Sequence, residues 1–221
     1  MTTSDDASYG DSSVWDSRFK REGDLDWGGF WIDPFVDTLA ENNCRKVLDL
    51  GCGTGNDVRR FANLDHQVAG LDFSKIALDI ARSKRNPRAG FVRADMGRGF
   101  PFLKGCFDAV FSNVALHMFD DMITRAVIQE VKRILRPSGI FIFHVNSVDD
   151  RALRARRRQV SEKLGPSRVR EADGQTVHFF SQSELEGHFQ EWTHLETEHL
   201  FVSDRITGEP FKAVWRGCAR N

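Results

Sequence analysis

The sequence predicts an α/β fold built on a mainly parallel sheet with helices on both faces. Three observations carry that expectation. From residue 47 to residue 143, short apolar runs alternate with amphipathic stretches at helical spacing. The runs are apolar throughout rather than alternating, as strands covered on both faces must be. A composition of 40% hydrophobic and 29% charged residues over 221 residues supplies a core for one large domain.

Residues 1–13 are rich in Ser, Asp and Thr and read as a flexible tail. Residues 14–43 crowd Trp15, Phe19, Trp27, Phe30, Trp31 and Phe35 around Gly23, Gly28 and Gly29. Within them Ile32, Phe35, Val36 and Leu39 have helical spacing. Val47 to Leu50 reads as the first buried strand, Asp57 to Leu64 as a helix, and Val68 to Leu71 as the second strand. Ser74 is expected to cap a helix that stops near Asn86-Pro87. Phe91 to Ala94 and Phe107 to Phe111 give strands three and four. A helix from Asp120 to Leu135, stopped by Arg136-Pro137-Ser138-Gly139, leads to strand five at Ile140 to Phe143.

Residues 147–191 form a more polar insertion. It is expected to be helical from Asp149 to Leu164, with a brief strand at Thr176 to Phe180 and a helix opened by Ser181 or Ser183. The arginines from Arg151 to Arg158 read as a solvated helix face. His194 to Val202 and Phe211 to Cys218 resemble a hairpin closing one sheet edge. Residues 14–221 are expected to form a single domain.

Charge narrows the classes of function. Lys plus Arg total 31 against 32 for Asp plus Glu, a net charge of -1, so bulk attraction to nucleic acid or an acidic membrane is not expected. No apolar run approaches the ~18 residues of a membrane span. The four cysteines show no CxxC pair and no metal-ligand spacing. A reduced, cytoplasmic chain without a bound metal is the expectation.

In an open parallel sheet, ligands bind beyond the carboxyl ends of the strands where strand order reverses. There the sequence reads Asp49-Leu50-Gly51-Cys52-Gly53-Thr54-Gly55, a loop whose alternating glycines let backbone approach a ligand closely. No Lys-Ser/Thr pair follows, as a P-loop would need, and Asn56 stands where a dinucleotide fingerprint has its last glycine. Asp72, ending the second strand, suits a ribose diol. Asp95, ending the third, suits the exocyclic amine of a purine.

These pieces resemble the class I S-adenosylmethionine-dependent methyltransferases. The matching segments are Val47 to Gly55, Val68 to Asp72, Val92 to Met96, Phe107 to Asn113 and Leu135 to Gly139, in consistent order over residues 44–145. The resemblance implies a Rossmann-like, seven-stranded, mainly parallel sheet whose last strand is antiparallel. It implies S-adenosylmethionine as cofactor, with Gly51, Gly53 and Gly55 along its methionine part and Asp49 near its ammonium. It also implies Asp72 on the ribose, Phe73, Asp95 and Met96 around the adenine, and Asn113 near the methyl group. Ser112-Asn113-Val114-Ala115 lacks the Asn/Asp-Pro-Pro-aromatic motif of relatives that modify adenine or glutamine nitrogens. A small organic acceptor, methylated on N, O or S, is therefore expected.

His117 and His144 are the candidate bases, for an acceptor that needs one. Each has a plainer reading: His117 as a shaper of the pocket, His144 as a crowded strand end. Trp15, Phe19, Trp27 and Trp31 are candidate acceptor-site residues on a lid hinged at Gly28-Gly29, or else ordinary core. Two alternatives remain open at this point: a nucleotide-dependent oxidoreductase, and a binding protein that keeps the fold without catalysis.

Overall fold

A computed structural model describes residues 12–24, 31–156, 160–172, 174–204 and 207–221. The chain opens with helix α1 (Ser12–Glu22), a 3-10 turn at Asp33–Phe35 and α2 (Val36–Glu41). Strands β1 (Lys46–Leu50), β2 (Gln67–Asp72) and β3 (Ala89–Arg93) alternate with α3 (Asn56–Asn63) and α4 (Lys75–Ser83). Then come β4 (Phe107–Asn113), α5 (Asp121–Ile134) and β5 (Leu135–Asn146). The remainder comprises α6 (Val148–Arg156), β6 (Val160–Lys163), β7 (Arg168–Glu171), β8 (Thr176–His178), α7 (Gln182–His188), β9 (His194–Ser203) and β10 (Pro210–Arg220).

Seven strands form one sheet in the order β3-β2-β1-β4-β5-β10-β9. Neighbours from β3 to β5 are parallel, whereas β10 runs antiparallel to both β5 and β9. This is the Rossmann-like sheet with an antiparallel last strand. The chain steps outward from β1 to β3 and then returns to β4 on the other side of β1. Strand order therefore reverses between β1 and β4, and a crevice is left at their carboxyl ends.

Each face of the sheet has its own core. Leu48, Leu50, Val110, Phe141 and Phe143 pack with Val127, Ile128 and Val131 of α5 and Leu185 of α7. On the other face Val47, Val68, Phe111, Ile140 and Ile142 meet Leu39 of α2, Val58 and Phe61 of α3, and Leu78 of α4. Fully burying one such side chain contributes roughly 1.5–3 kcal/mol, so these layers dominate stability. Local signals set the helix starts. Ser74 Oγ accepts from Ala77 N at 3.1 Å, and Asp120 Oδ1 accepts from Ile123 N at 2.9 Å. At the opposite end of the sheet Asp108 joins three strands. Its Oδ2 accepts from Arg45 N and Lys46 N, both at 2.8 Å, and its Oδ1 accepts from Arg136 Nε at 2.8 Å.

Several expectations are corrected. Helix α1 begins at Ser12, inside the stretch expected to be a tail. Strand β5 starts at Leu135 and takes in the Pro-Ser-Gly segment. The long helix expected from Asp149 ends at Arg156, and β6, β7 and β8 form a separate antiparallel sheet. The basic stretch is not simply solvated. Arg154 Nε donates to the fully buried Asp150 at 2.6 Å and also pairs with Glu171. Asp150 Oδ1 in turn accepts from Ala213 N at 3.0 Å, so this ion group ties α6 to β7 and β10. Arg157 and Arg158 lie outside the described residues.

Candidate active site

The crevice between β1 and β4 holds an open cleft of about 1010 Å³. Its floor is the glycine loop after β1. Gly51, Gly53 and Gly55 have φ of 79°, 50° and 77°, in the left-handed region. At Gly51 a Cβ would lie only 2.5 Å from Ala115 Cβ, so this position needs glycine on steric grounds as well. The opposite wall includes Val114, with φ of 51°. A β-branched residue held there stores roughly 1–3 kcal/mol of strain, fixed in part by its N–H donating to His144 O at 3.0 Å.

Asp72 braces the loop. Its Oδ2 accepts from Gly53 N at 2.9 Å and its Oδ1 from Ser74 N at 2.8 Å. Burial pushes its carboxyl above the usual range, and those N–H groups partly oppose the rise. A carboxylate offers about four lone-pair sites, so acceptor capacity is left for a diol. Phe73, Ala94 and Met96 give this end of the cleft apolar walls. Asp95 sits beside them, its Oδ1 accepting from Gly97 N at 2.9 Å.

The other end is polar and incompletely satisfied. Asp49, two residues before the glycine loop, is 2% exposed and does not itself line the cleft, and its Oδ2 has no hydrogen-bond partner. Burial first, then the charges of Asp57 and Asp72, push its carboxyl well above the ordinary range. Asn113 donates from Nδ2 to Asp57 Oδ2 at 3.2 Å, yet its own buried Oδ1 is left without a partner. Both orphan acceptors thus neighbour the Asp57 carboxylate. Sequence reasoning missed Asp57, because the residue reads only as the start of α3.

Helix α1 covers part of the opening. Trp15 and Phe19 line the cleft, with ring centroids 5.8 Å apart. Two carboxylates hold the helix down. Asp16 Oδ1 accepts from Ser74 Oγ at 2.5 Å and from Ile76 N at 3.2 Å, at the start of α4. Asp24 Oδ1 accepts from Thr54 Oγ1 at 2.7 Å and pairs with Lys84 Nζ at 2.5 Å.

Other candidates lie elsewhere. Trp27 and the Gly28-Gly29 hinge fall outside the described residues. Trp31 packs edge-on against His144 at 4.8 Å, in the core rather than at the cleft. His144 was expected at the pocket mouth because it follows the last apolar residue of strand five. Strand β5 runs on to Asn146, and alternation turns His144 inward onto Phe35 and Phe111. There it is fully buried, both ring nitrogens lack partners, and burial, then Arg216 and Lys212, push its pKa down to about 3. His117 is also buried and off the cleft wall, while the adjacent Met118 and Phe119 line it. Burial, followed by the charges of Lys212, Arg154 and His178, lowers its pKa well below the usual value.

Residues 47–139 match the family model described as methyltransferase domain. An uncharacterized methyltransferase of Synechocystis sp. is 39% identical over 107 residues, covering 48% of this chain and 49% of the relative. A malonyl-[acyl-carrier protein] O-methyltransferase of Enterobacter lignolyticus is 32% identical over 133 residues, covering 59% and 51% respectively. The chain thus spans about half the length of the curated relatives it matches. The fold also resembles the solved 1,6-didemethyltoxoflavin-N1-methyltransferase of Burkholderia thailandensis. That comparison gives a TM-score of 0.65 at 19% identity, over 95% of this chain and 88% of that one. Over residues 47–139 the chain is thus similar to the methyltransferase domain, and its fold is that of solved S-adenosylmethionine-dependent methyltransferases. Solved methyltransferases of this fold use S-adenosylmethionine, and the cleft has groups that fit it: a buried, unpaired acceptor at Asn113 Oδ1, the Asp72 and Asp95 carboxylates, and apolar walls.

Proposed function

We propose that the protein moves a methyl group from S-adenosylmethionine to a nitrogen, oxygen or sulfur atom of a small organic molecule. The observation that carries this reading is the two-ended polarity of one cleft. The unpaired buried oxygen of Asn113 lies at one end, braced carboxylates at the other, and aromatic and apolar side chains between. The printed names of the Enterobacter relative and the Burkholderia structure support O- and N-methylation of small acceptors as the class.

When bound, S-adenosylmethionine supplies an electrophilic methyl on a sulfonium that departs as a neutral thioether. The residues of this chain bind, align and exclude water. Asp49 and Asn113 receive the ammonium, and Asp72 receives the ribose hydroxyls while its grip on Gly53 N fixes the loop. Trp15, Phe19, Met118 and Phe119 supply apolar cover where the acceptor meets the methyl. No histidine lines the cleft among the described residues, and both candidate bases are buried neutral rings. The reading therefore favours an acceptor atom that is already nucleophilic, since alignment alone can supply effective molarities of ~10⁵ M.

The test is production of S-adenosylhomocysteine against a panel of small amines, thiols, carboxylates and phenols. Turnover is expected with at least one of them and is expected to survive His117→Gln and His144→Gln. Tight cofactor binding with no turnover on any acceptor, RNA included, favours the non-catalytic binding protein. An oxidoreductase is disfavoured by Asn56, whose side chain contacts Arg59, Lys84 and Asp24 where a dinucleotide loop has glycine.

A further inference from the structure

Away from the cleft, Asp121 at the start of α5 faces Glu184 and His188 of α7. One ligand atom from each of the three lies within 4.8 Å of the others. Glu184 and His188 are four apart on one helix, so both project from the same face. His188 is 5% exposed, its pKa lowered mainly by burial, and neither ring nitrogen makes a hydrogen bond, although Nε2 stands 3.5 Å from Asp121 Oδ1. A neutral imidazole kept from water without a partner is unusual and costly.

A second imidazole reaches the same group. His178 Nδ1 lies 3.2 Å from Phe119 O, and its Nε2 lies 2.8 Å from Glu184 Oε1. A carbonyl accepts only, so Nδ1 carries the proton that bonds it. The backbone carbonyl thus fixes the ring, and Nε2 orients the Glu184 carboxylate, as outer-shell partners of metal ligands do.

We propose that Asp121, Glu184 and His188 bind a divalent transition metal of the zinc class, with water completing the coordination. An imidazole with two carboxylates suits a borderline ion better than calcium or magnesium, which take oxygen donors. Asp121 is about half exposed and gives the ion a way in; Arg125 donates to both its oxygens, to Oδ2 at 3.0 Å and to Oδ1 at 3.3 Å, and Oδ1 keeps a second lone pair for the ion. The ion would join α7 to α5 and to the loop whose Met118 and Phe119 line the cleft. It acts there as a brace and takes no part in methyl transfer, so the site stands apart from the proposed reaction.

The test titrates chelator-treated full-length protein with Zn²⁺ by calorimetry and with Co²⁺ by visible absorption. One equivalent of Zn²⁺ is expected, with a Co²⁺ spectrum of nitrogen and oxygen ligands and a metal-dependent rise in Tm. His188→Ala and the nearly isosteric Glu184→Gln should each weaken binding at least tenfold, while Glu196→Gln, beside the exposed His194, should not. Glu184→Gln keeps the test decisive if His188→Ala fails to fold. Absence of stoichiometric binding to folded wild type, or undiminished binding in Glu184→Gln, overturns the proposal.

Discussion

At the scale of single residues, the ammonium end of the cleft couples cofactor binding to pH. Asp49 has a carboxyl raised by burial and by two neighbouring acids, and it must ionise to receive an ammonium group. Binding of S-adenosylhomocysteine should therefore release a proton, and affinity should rise with pH through the raised titration. Calorimetry in buffers of different ionisation enthalpy measures that proton directly. Asp49→Asn should abolish the release and weaken binding by about tenfold to a hundredfold, the value of roughly 1.5–3 kcal/mol for a charged hydrogen bond. Unchanged proton release in Asp49→Asn would assign the effect to another group. Asp72→Ala should be at least as damaging, because it removes both a ribose acceptor and the brace on Gly53 N. Equal affinity in Asp72→Ala and wild type would contradict its assigned role.

At the scale of elements, α1 is a cover held by a few polar contacts rather than by a deep core. Phe19 is its buried residue; Asp16, near its middle, anchors it to α4, and Asp24, two residues past its end, to the glycine loop. Such an attachment opens locally at less cost than global unfolding. S-adenosylhomocysteine should slow proteolysis within residues 12–24, and Asp16→Ala with Asp24→Ala should speed it without ligand. Identical cleavage with and without ligand would make α1 a static wall. The aromatic crowding that marks this segment is visible in sequence, whereas its anchors are not. Asp16 and Asp24 are ordinary surface acids until folding brings Ser74, Thr54 and Lys84 to them. Asp57 was missed for the same reason.

At the scale of the molecule, burial of His144 between the sheet and residues 31–35 makes stability sensitive to acid. The unfolded ring takes up a proton near its ordinary pKa of about 6.5, whereas the folded ring resists until about 3. The unfolded state thus binds more protons over that window, so stability falls as pH drops from about 6.5 towards 3, by on the order of 4 kcal/mol. His144→Phe should flatten this acid limb in urea titrations. An unchanged limb would place the acid sensitivity elsewhere. The strands of the main sheet were legible because both of their faces are apolar, and the glycine loop and acidic strand tips because their chemistry is local. The small sheet was not legible: Val160–Lys163 and Arg168–Glu171 are short and rich in residues that favour helices. Likewise, the inward turn of His144 depends on where β5 ends, a boundary set by pairing with β10.

The central claim is that one cleft recognises a nucleoside at one end and an amino acid ammonium at the other. Calorimetric titration of the full-length protein with S-adenosylhomocysteine, beside NAD⁺, tests it most directly. The account predicts single-site binding of S-adenosylhomocysteine and no comparable heat from NAD⁺; absence of the first, or preference for the second, would contradict it.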